Sequence, residues 1–528
     1  MTTRRITPHL PFVPVVHAAG AAERDLAAIG AGIPSRALMQ RAGAGAAAEI
    51  VRRFPERLRL GVVVATGGGN NGGDGWVVAH ALHAAGIPVR VVECVAAKAP
   101  NARAERDEAI AAGVHVEEGA DALRAGAELI VVDALLGTGL TSDQPLRGEI
   151  GSAVALLQAR RAHGATIVAL DVPTGLDATN GGHVGAPTCA LTVTFGTMKR
   201  GLLVARAVCG EIVLLDIGLG VHAVTRGMPR LATAAWFRAM LPSIPADAHK
   251  GTRRKVAIVG GASGMAGAVI LAARAALRSG AGLVKCVVAP ESLSAVQEAE
   301  PHALAAVWPV DDDAMASTIT DWADAVLIGP GFGTQGARTL IERLLSHYRG
   351  PIVLDADALN AFAGDAASLH PFMNQRAALL TPHPAEFARL AATEVDSVLE
   401  HRFEGPSQLA GATGASVLLK GVPTVVSSPG GNTIVVAEGT PILATGGAGD
   451  VLGGIAVTLL AQTGDATLAG ALAAFAHGRA AYDVSARSVR GHTLDDVLAA
   501  LPSVWSLEPP APRPPVLIEL PAVGEETP

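Results

Sequence analysis

The chain runs twice through one pattern: short apolar, often β-branched segments, each closed by glycine or polar residues and followed by a helical stretch. In the first half such segments lie at 60–65, 89–93, 129–133, 166–171, 191–195 and 212–216. A strand that is apolar on both faces must be covered on both, as in a parallel sheet held between helices. The pattern restarts at 255–259, with a helix over 266–279 and further strands at 283–288, 325–328, 351–355, 377–381, 416–420 and 433–436. Strand–helix alternation implies βαβ units. At 528 residues one hydrophobic core is exceeded, so two domains are expected. The expected fold class is therefore α/β, as two three-layer domains over residues 1–225 and 226–505. The stretch 219–245 lacks the pattern and holds the boundary, and 506–528 reads as a Pro-rich tail.

Composition narrows the function classes. Apolar residues make up 50% and charged residues 17%, enough for large cores. No run reaches the roughly 18 uninterrupted apolar residues that a membrane-spanning helix needs. The net charge of −7, the lack of a basic block and the 3% aromatic content argue against nucleic acid as a partner. Cys94, Cys189, Cys209 and Cys286 are scattered without paired spacing, so they read as buried thiols in a reducing compartment. The short N-terminal apolar stretch is broken by Pro8, Pro11 and Pro14 and does not read as a signal peptide. The expected location is the cytoplasm.

In the first half, a glycine loop from Gly67 to Gly75 follows a strand and opens a helix. Gly67, Gly69 and Gly72 satisfy GxGxxG, and Glu93 stands where a ribose-binding acid would, so a Rossmann-like dehydrogenase is one reading. That reading leaves Asn70, Asn71 and Asp74 unexplained. The Asn71 side-chain carbonyl could serve a cation or a ligand, and turn chemistry is the alternative. Asp133, ahead of Gly137-Thr138-Gly139, and Asp171, ahead of Val172-Pro173-Thr174, also end strands. Ligands of open α/β sheets bind beyond these carboxyl ends. Asn71, Asp133, Asp171 and Thr174 thus converge as hard oxygen donors for a ligand plus a monovalent or weakly held cation. Lys199 either neutralises a phosphate or is merely solvated. His80 and His83 read as structural.

The second half offers phosphate chemistry. Thr445-Gly446-Gly447-Ala448-Gly449-Asp450 precedes an apolar helix over 451–461. Near-bare backbone there lets N–H groups converge on an anion, with the helix N-terminus adding positive potential. A carboxylate would repel that anion, so Asp450 reads as the base for an adjacent hydroxyl; a plain turn capped by Asp450 is the other reading. Gly260-Gly261, Gly329-Pro330-Gly331-Phe332-Gly333, Asp355-Ala356-Asp357, Thr381-Pro382-His383-Pro384-Ala385-Glu386 and Lys420-Gly421-Val422-Pro423-Thr424 each lie just past a strand. No Lys-Ser/Thr follows the first, which excludes a Walker-type NTPase.

These motifs carry two resemblances. Gly69-Asn70-Asn71-Gly72-Gly73-Asp74-Gly75, the segments that begin at Asp133 and Asp171, Gly32-Ile33-Pro34-Ser35 and Leu38-Met39-Gln40-Arg41-Ala42-Gly43 resemble the NAD(P)H-hydrate epimerase family, in which Glu often stands where this chain has Gln40. The resemblance implies that Asn70, Asn71, Gly72, Gly73 and Asp74, then Gly137, Thr138, Gly139, Leu140, Thr141, Ser142 and Asp143, and Asp171 contact the hydrated nucleotide. It implies that Asn71, Asp133 and Thr174 hold K+. Residues 245–502 resemble the ribokinase-like fold, and more closely the ADP-dependent NAD(P)H-hydrate dehydratases. There Lys420, Gly421, Val422, Pro423, Thr424 and Gly449 would contact the adenine nucleotide, and Ala268, Gly333, His383 and Asp450 the hydrate. Together they imply a repair enzyme for NADHX and NADPHX that uses ADP and Mg2+, assembles as a homo-oligomer and has Asp450 and Asp171 as catalytic groups.

The chemistry agrees with the motifs. The hydrate carries its hydroxyl on a ring carbon bonded to nitrogen. Hydroxide leaves poorly, whereas phosphate leaves well once the hydroxyl is phosphorylated, and loss of a neighbouring proton restores the dihydropyridine. The alternative is a small-alcohol kinase of the ribokinase fold fused to a non-catalytic nucleotide-binding domain.

Overall fold

The structure is a computed structural model that describes residues 13–523 except 142, 143, 226, 309, 310, 335 and 487. The chain forms two compact units, Pro11–Met228 with Ala511–Gly524, and Pro229–Pro510.

The first unit is built on an eight-stranded sheet. From one edge its strands are Val516–Leu520, Glu211–Leu215, Leu191–Phe195, Thr166–Leu170, Ile130–Ala134, Val62–Thr66, Val89–Glu93 and His115–Glu118. All pairings are parallel except the one at the Val516–Leu520 edge. Alternate residues feed separate cores. Val62, Val64, Val132 and Val168 pack with Leu38, Ile50 and Trp76, while Val63, Ala65, Val131 and Ile167 pack with Val154 and Leu157. The result is three layers, as full burial of the strands requires. Strand order reverses between Val62–Thr66 and Ile130–Ala134, which makes the gap beyond their carboxyl ends the ligand crevice of this topology. Gly67 begins the turn there. A Cβ on it would lie 1.9 Å from the Leu135 carbonyl oxygen, so only glycine lets the two loops touch.

The second unit repeats the plan with ten strands: Arg230–Leu231, Thr433–Val436, Thr424–Ser427, Ser416–Leu419, Ala378–Leu380, Ile352–Leu354, Ala325–Ile328, Lys255–Val259, Leu283–Val288 and Leu304–Val307. The pairs that flank Thr424–Ser427 are antiparallel. Val256, Ile258 and Leu327 face helices Ala266–Arg278, Ala448–Thr463 and Ala466–Ser485. Ala257, Val259 and Val326 face the core that contains Ile341 and Leu344. Here too the order reverses beside the first strand of the unit, between Lys255–Val259 and Ala325–Ile328. No described helix is long and apolar enough to cross a membrane.

Three expectations need correction. The stretch 219–245, within which the units divide between Met228 and Pro229, is not without pattern: it contains strand Arg230–Leu231 and helix Ala234–Met240 of the second unit. Asn70 to Asp74 do not form a loop but the first turns of helix Asn70–Ala84. The residues read as a tail supply strand Val516–Leu520, antiparallel to Glu211–Leu215. The prolines at 509, 510, 512, 514 and 515 hid the apolar Val-Leu-Ile that follows them.

That last strand is held by charge as well as by its ladder. Glu49, 3% exposed, pairs with Arg513 and Arg52, and Glu519 reaches Arg53 at 2.8 Å. Burial disfavours the Glu49 carboxylate, but Arg513 and Arg52 outweigh it and hold its pKa below the ordinary value. A chain ending at residue 510 leaves that carboxylate short of a partner and exposes a sheet edge. It should lose on the order of 3 kcal/mol in the first unit. Calorimetry is expected to show that unit melting roughly 6–12 °C lower.

Candidate functional site

In the first unit a cavity of about 720 Å³ opens at the strand-order reversal and is lined by Asp25, Asn71, Asp74, Gly137, Asp171 and Lys199, among others. Asp133 ends the Ile130–Ala134 strand with no exposed surface. Its carboxylate accepts hydrogen bonds from Thr174 Oγ1 at 2.7 Å, Thr174 N at 2.8 Å and Leu135 N at 3.2 Å. Burial raises its pKa, and these donors oppose the rise. Asn71 is 7% exposed, and neither its Oδ1 nor its Nδ2 has a partner. A buried amide costs free energy unless something binds it, so the Asn71 oxygen beside this cavity fits a ligand or a cation. Among the described residues no group of three or more His, Cys, Asp or Glu is placed to hold a metal.

Asp171 sits at φ +62°, a conformation non-glycine residues rarely adopt. Lys199 is buried beside it. Its ammonium donates to Asp171 Oδ1 at 2.6 Å, Thr194 Oγ1 at 3.0 Å and the Phe195 carbonyl at 2.8 Å. Neither sequence reading of Lys199, phosphate neutraliser or solvated side chain, holds: all three of its donors are spent inside the protein. Glu93 is likewise engaged. Arg106 grips both its oxygens at 2.9–3.0 Å and Ala97 N donates to it, which removes the acid that a dehydrogenase would need on the ribose. Gln40 donates to buried Glu105 at 3.0 Å. Of the residues expected to contact the substrate, Asn70, Asn71, Asp74, Gly137, Thr138, Gly139, Leu140 and Asp171 line the cavity. Gly72 and Gly73 are buried in the adjoining helix, and Thr141 lies within the loop, its carbonyl accepting from Gln144 N at 3.0 Å. Ser142 and Asp143 lie outside the described residues. Asp25, on helix Ala18–Gly30, has no motif around it, and sequence reasoning missed it.

In the second unit Asp450 lies in the first turn of helix Ala448–Thr463, entered through Gly447 at φ +91°. The expected helix thus begins three residues earlier, and Gly449 and Asp450 belong to its positive end. Burial pushes the Asp450 carboxyl up to about 7, with Asp355, Asp357 and Glu386 adding to the rise and Lys420 opposing it. Lys420 Nζ bonds Asp355 Oδ1 at 2.8 Å and lies 3.5 Å from Glu386 Oε2. Burial lowers the Lys420 pKa, but these two carboxylates more than compensate and leave it raised. A Cβ on Gly449 would stand 3.2 Å from Lys420 Nζ and 3.7 Å from Asp355 Oδ2, so the bare helix end, the ammonium and the carboxylate share one spot.

His383 caps helix Pro384–Ala391 through Nδ1, which accepts from Ala385 N and Glu386 N, and Glu386 answers to the His383 N–H. With Nδ1 accepting, the ring proton sits on Nε2. Burial lowers the His383 pKa, which favours the neutral ring. Gly333 N donates to Asp357 Oδ2 at 2.8 Å, and a Cβ on Gly331 would lie 3.3 Å from Ala268 Cβ, which brings Ala268, Gly333 and the Asp355–Asp357 turn together. Gly421 to Pro423 form the turn between strands Ser416–Leu419 and Thr424–Ser427, and Thr424 Oγ1 bonds the Gly421 carbonyl at 2.8 Å. Arg402, whose pKa burial lowers, donates to the Val422 carbonyl at 2.8 Å. Asp355, Asp357 and Glu386 were visible in the sequence as strand-end motifs, but nothing there gave them roles.

Comparison with known proteins fits this geometry. Residues 35–201 match the family model described as YjeF-related protein N-terminus, and residues 256–503 match the one described as NAD(P)H-hydrate dehydratase. A bifunctional NAD(P)H-hydrate repair enzyme from Salinibacter ruber is 38% identical over 515 residues, spanning 90% of this chain and 92% of that protein. The chain belongs to the bifunctional NAD(P)H-hydrate repair enzymes. The Escherichia coli member is 34% identical, with 92% of each chain aligned. A crystal structure of the ADP/ATP-dependent NAD(P)H-hydrate dehydratase from Bacillus subtilis, co-crystallized with ATP/Mg2+, is 26% identical; it covers 53% of this chain and 99% of that chain with a TM-score of 0.47. As a bifunctional repair enzyme of this family, the chain has an epimerase N-terminal half and a dehydratase C-terminal half. The kinase alternative is not favoured, because the relatives align across both halves.

Proposed function

We propose that the C-terminal unit transfers the terminal phosphoryl group of ADP to the ring hydroxyl of S-NADHX or S-NADPHX, with Asp450 as the base. The observation that supports this most is an aspartate at a helix N-terminus with its pKa raised to about 7, where a base is half-ionised at working pH. Asp450 takes the hydroxyl proton while the hydroxyl oxygen attacks phosphorus and AMP leaves. The ring nitrogen lone pair then expels phosphate, and loss of the neighbouring proton yields the dihydropyridine. Lys420, now paired with Asp355, can pass to a nucleotide phosphate, and the helix end at Gly449 adds backbone donors. Gly421, Val422, Pro423 and Thr424 frame the nucleotide, while Ala268, Gly333 and His383 frame the hydrate. Mg2+ would come in with the nucleotide phosphates, held mainly by their oxygens, and would supply charge neutralisation beside Asp450.

The N-terminal unit interconverts the R and S hydrates in the cavity at Asp171, so that both become substrates of the other half. Asn71, Asp133 and Thr174 would hold K+, the orphaned Asn71 oxygen being the reason. The expected cytoplasmic setting and homo-oligomeric assembly belong to the same reading, and sedimentation tests the assembly.

The deciding experiment incubates the chain with mixed hydrate epimers and ADP or ATP. Absorbance at the NADH band should recover fully with ADP, with one AMP and one phosphate released per NADH. Accumulation of a stable phosphorylated alcohol would contradict the reading. Replacing K+ by a larger organic cation should slow the R-derived phase alone, and Asn71→Ala should abolish that sensitivity.

A further inference from the structure

Three carboxyl groups line the first unit's cavity, Asp25, Asp74 and Asp171, and the surroundings of the last two differ in kind. Asp171 receives the Lys199 ammonium at 2.6 Å and the Thr194 hydroxyl at 3.3 Å. Asp74, on the wall of the same cavity, receives no hydrogen bond from any described residue and faces other carboxylates. The cavity also holds the unpartnered amide of Asn71, which marks it as built for a ligand. A pair of acids in one site, one ion-paired and one left without donors, is the arrangement by which enzymes separate a base from an acid.

We propose that Asp74 is the proton donor and Asp171 the proton acceptor of the epimerisation, with Lys199 as the positioning residue that sets them apart. This rests on the epimerase reading of the N-terminal unit. Asp74 gives its proton to the hydroxyl of the hydrate, and the C–O bond breaks with its electron pair leaving as water. The ring nitrogen lone pair forms a C=N bond to the same carbon. Water then adds from the opposite face and gives a proton to Asp171, and the nitrogen recovers its lone pair. Asp74 ends as carboxylate and Asp171 as acid, and the reverse sequence or exchange with solvent resets them.

Burial raises the Asp74 pKa well above the ordinary value, and Asp171 and Asp25 raise it further, while Lys199 opposes and Glu105 adds a small rise. These groups reach Asp74 from helix Ala18–Gly30 (Asp25), helix Pro100–Ala111 (Glu105), the turn after Thr166–Leu170 (Asp171) and strand Met198–Lys199. All the acidic neighbours act to keep the proton on Asp74. Its rate contribution is therefore present at low and neutral pH and falls as pH rises through that elevated value.

The test follows R-to-S conversion in the full chain without ADP, by chromatography, above the spontaneous rate. Asp74→Asn should lower kcat about a hundred-fold or more and abolish the high-pH limb, with KM changed less than about threefold. Asp74→Glu should restore part of the rate together with that limb. Lys199→Met should lower kcat and move the high-pH limb upward, because the ammonium opposes the rise at Asp74. Asp74→Asn at the wild-type rate would overturn the assignment, as would Asn and Glu variants equally slow with hydrate binding intact. A wild-type chain no faster than spontaneous conversion would instead defeat the epimerase reading.

Discussion

Asp450→Asn should lose ADP-driven recovery of NADH from the S hydrate by about a hundred- to ten-thousand-fold. The substitution keeps the shape and hydrogen-bonding reach of the side chain but cannot accept a proton. In the wild type the rate should climb with pH, roughly tenfold per unit below 7, and level off above it, because the carboxyl of Asp450 loses its proton near 7. The same shift predicts a stability effect of opposite sense. A carboxyl whose folded pKa lies above its unfolded value favours the folded state only while protonated. That contribution is full in acid and is lost as pH rises through 7, where the buried charge destabilises. The Asn variant escapes this, so at pH 8 it should be more stable than wild type by on the order of 1–3 kcal/mol. The gap should narrow as pH falls below about 7 and close only near the ordinary carboxyl value of 3.8. Higher stability with lost activity would identify Asp450 as a strained functional group and not a helix cap, since removing a cap destabilises.

Gly329→Ala should be as damaging by another route. Gly329 ends strand Ala325–Ile328 at φ +131°, where a Cβ would stand 1.8 Å from the Asp355 carbonyl oxygen. The backbone region itself is essentially closed to residues with a side chain, and the overlap lies against main chain and so cannot relax by a rotamer change. A loss above about 3 kcal/mol in the second unit is expected. The displaced element carries Asp355, so the Lys420 pair at 2.8 Å would be lost with it, and dehydratase activity along with that. R-to-S interconversion should persist, because Gly329 lies in the other compact unit. Separate assays of the two activities, with calorimetry of the same sample, check both halves of this statement.

The sheets were legible because their strands are apolar on both faces, which leaves few alternatives to a covered parallel sheet. Val62–Thr66, Lys255–Val259 and Leu283–Val288 lie within two residues of where the apolar runs put them. Strands His115–Glu118 and Leu304–Val307 escaped notice because they are edge strands, half exposed, one of them with the sequence His-Val-Glu-Glu. Val516–Leu520 escaped because a proline cluster precedes it and its partner strand is some 300 residues distant in the chain. The site was legible where an acid stands at a strand end, as at Asp133, Asp171 and Asp355, and where glycine and acid open a helix, as at Gly449 and Asp450. Asp25 and Lys199 were not, because their importance comes only from what the fold brings beside them: Lys199 looks like any surface lysine until Asp171, Thr194 and the Phe195 carbonyl close around it. The closeness of Lys420 to Glu386 and Asp355 is likewise a product of parallel strands ending side by side.

The central claim is that the hydroxyl oxygen of the hydrate leaves attached to phosphorus. It is tested by preparing S-NADHX with 18O in that hydroxyl, treating it with ADP and the Asp74→Asn chain, whose slowed epimerisation cannot exchange the label with solvent, and weighing the released phosphate by mass spectrometry. One 18O atom in each phosphate formed is the predicted result. Unlabelled phosphate, with the 18O recovered in water, would contradict the account.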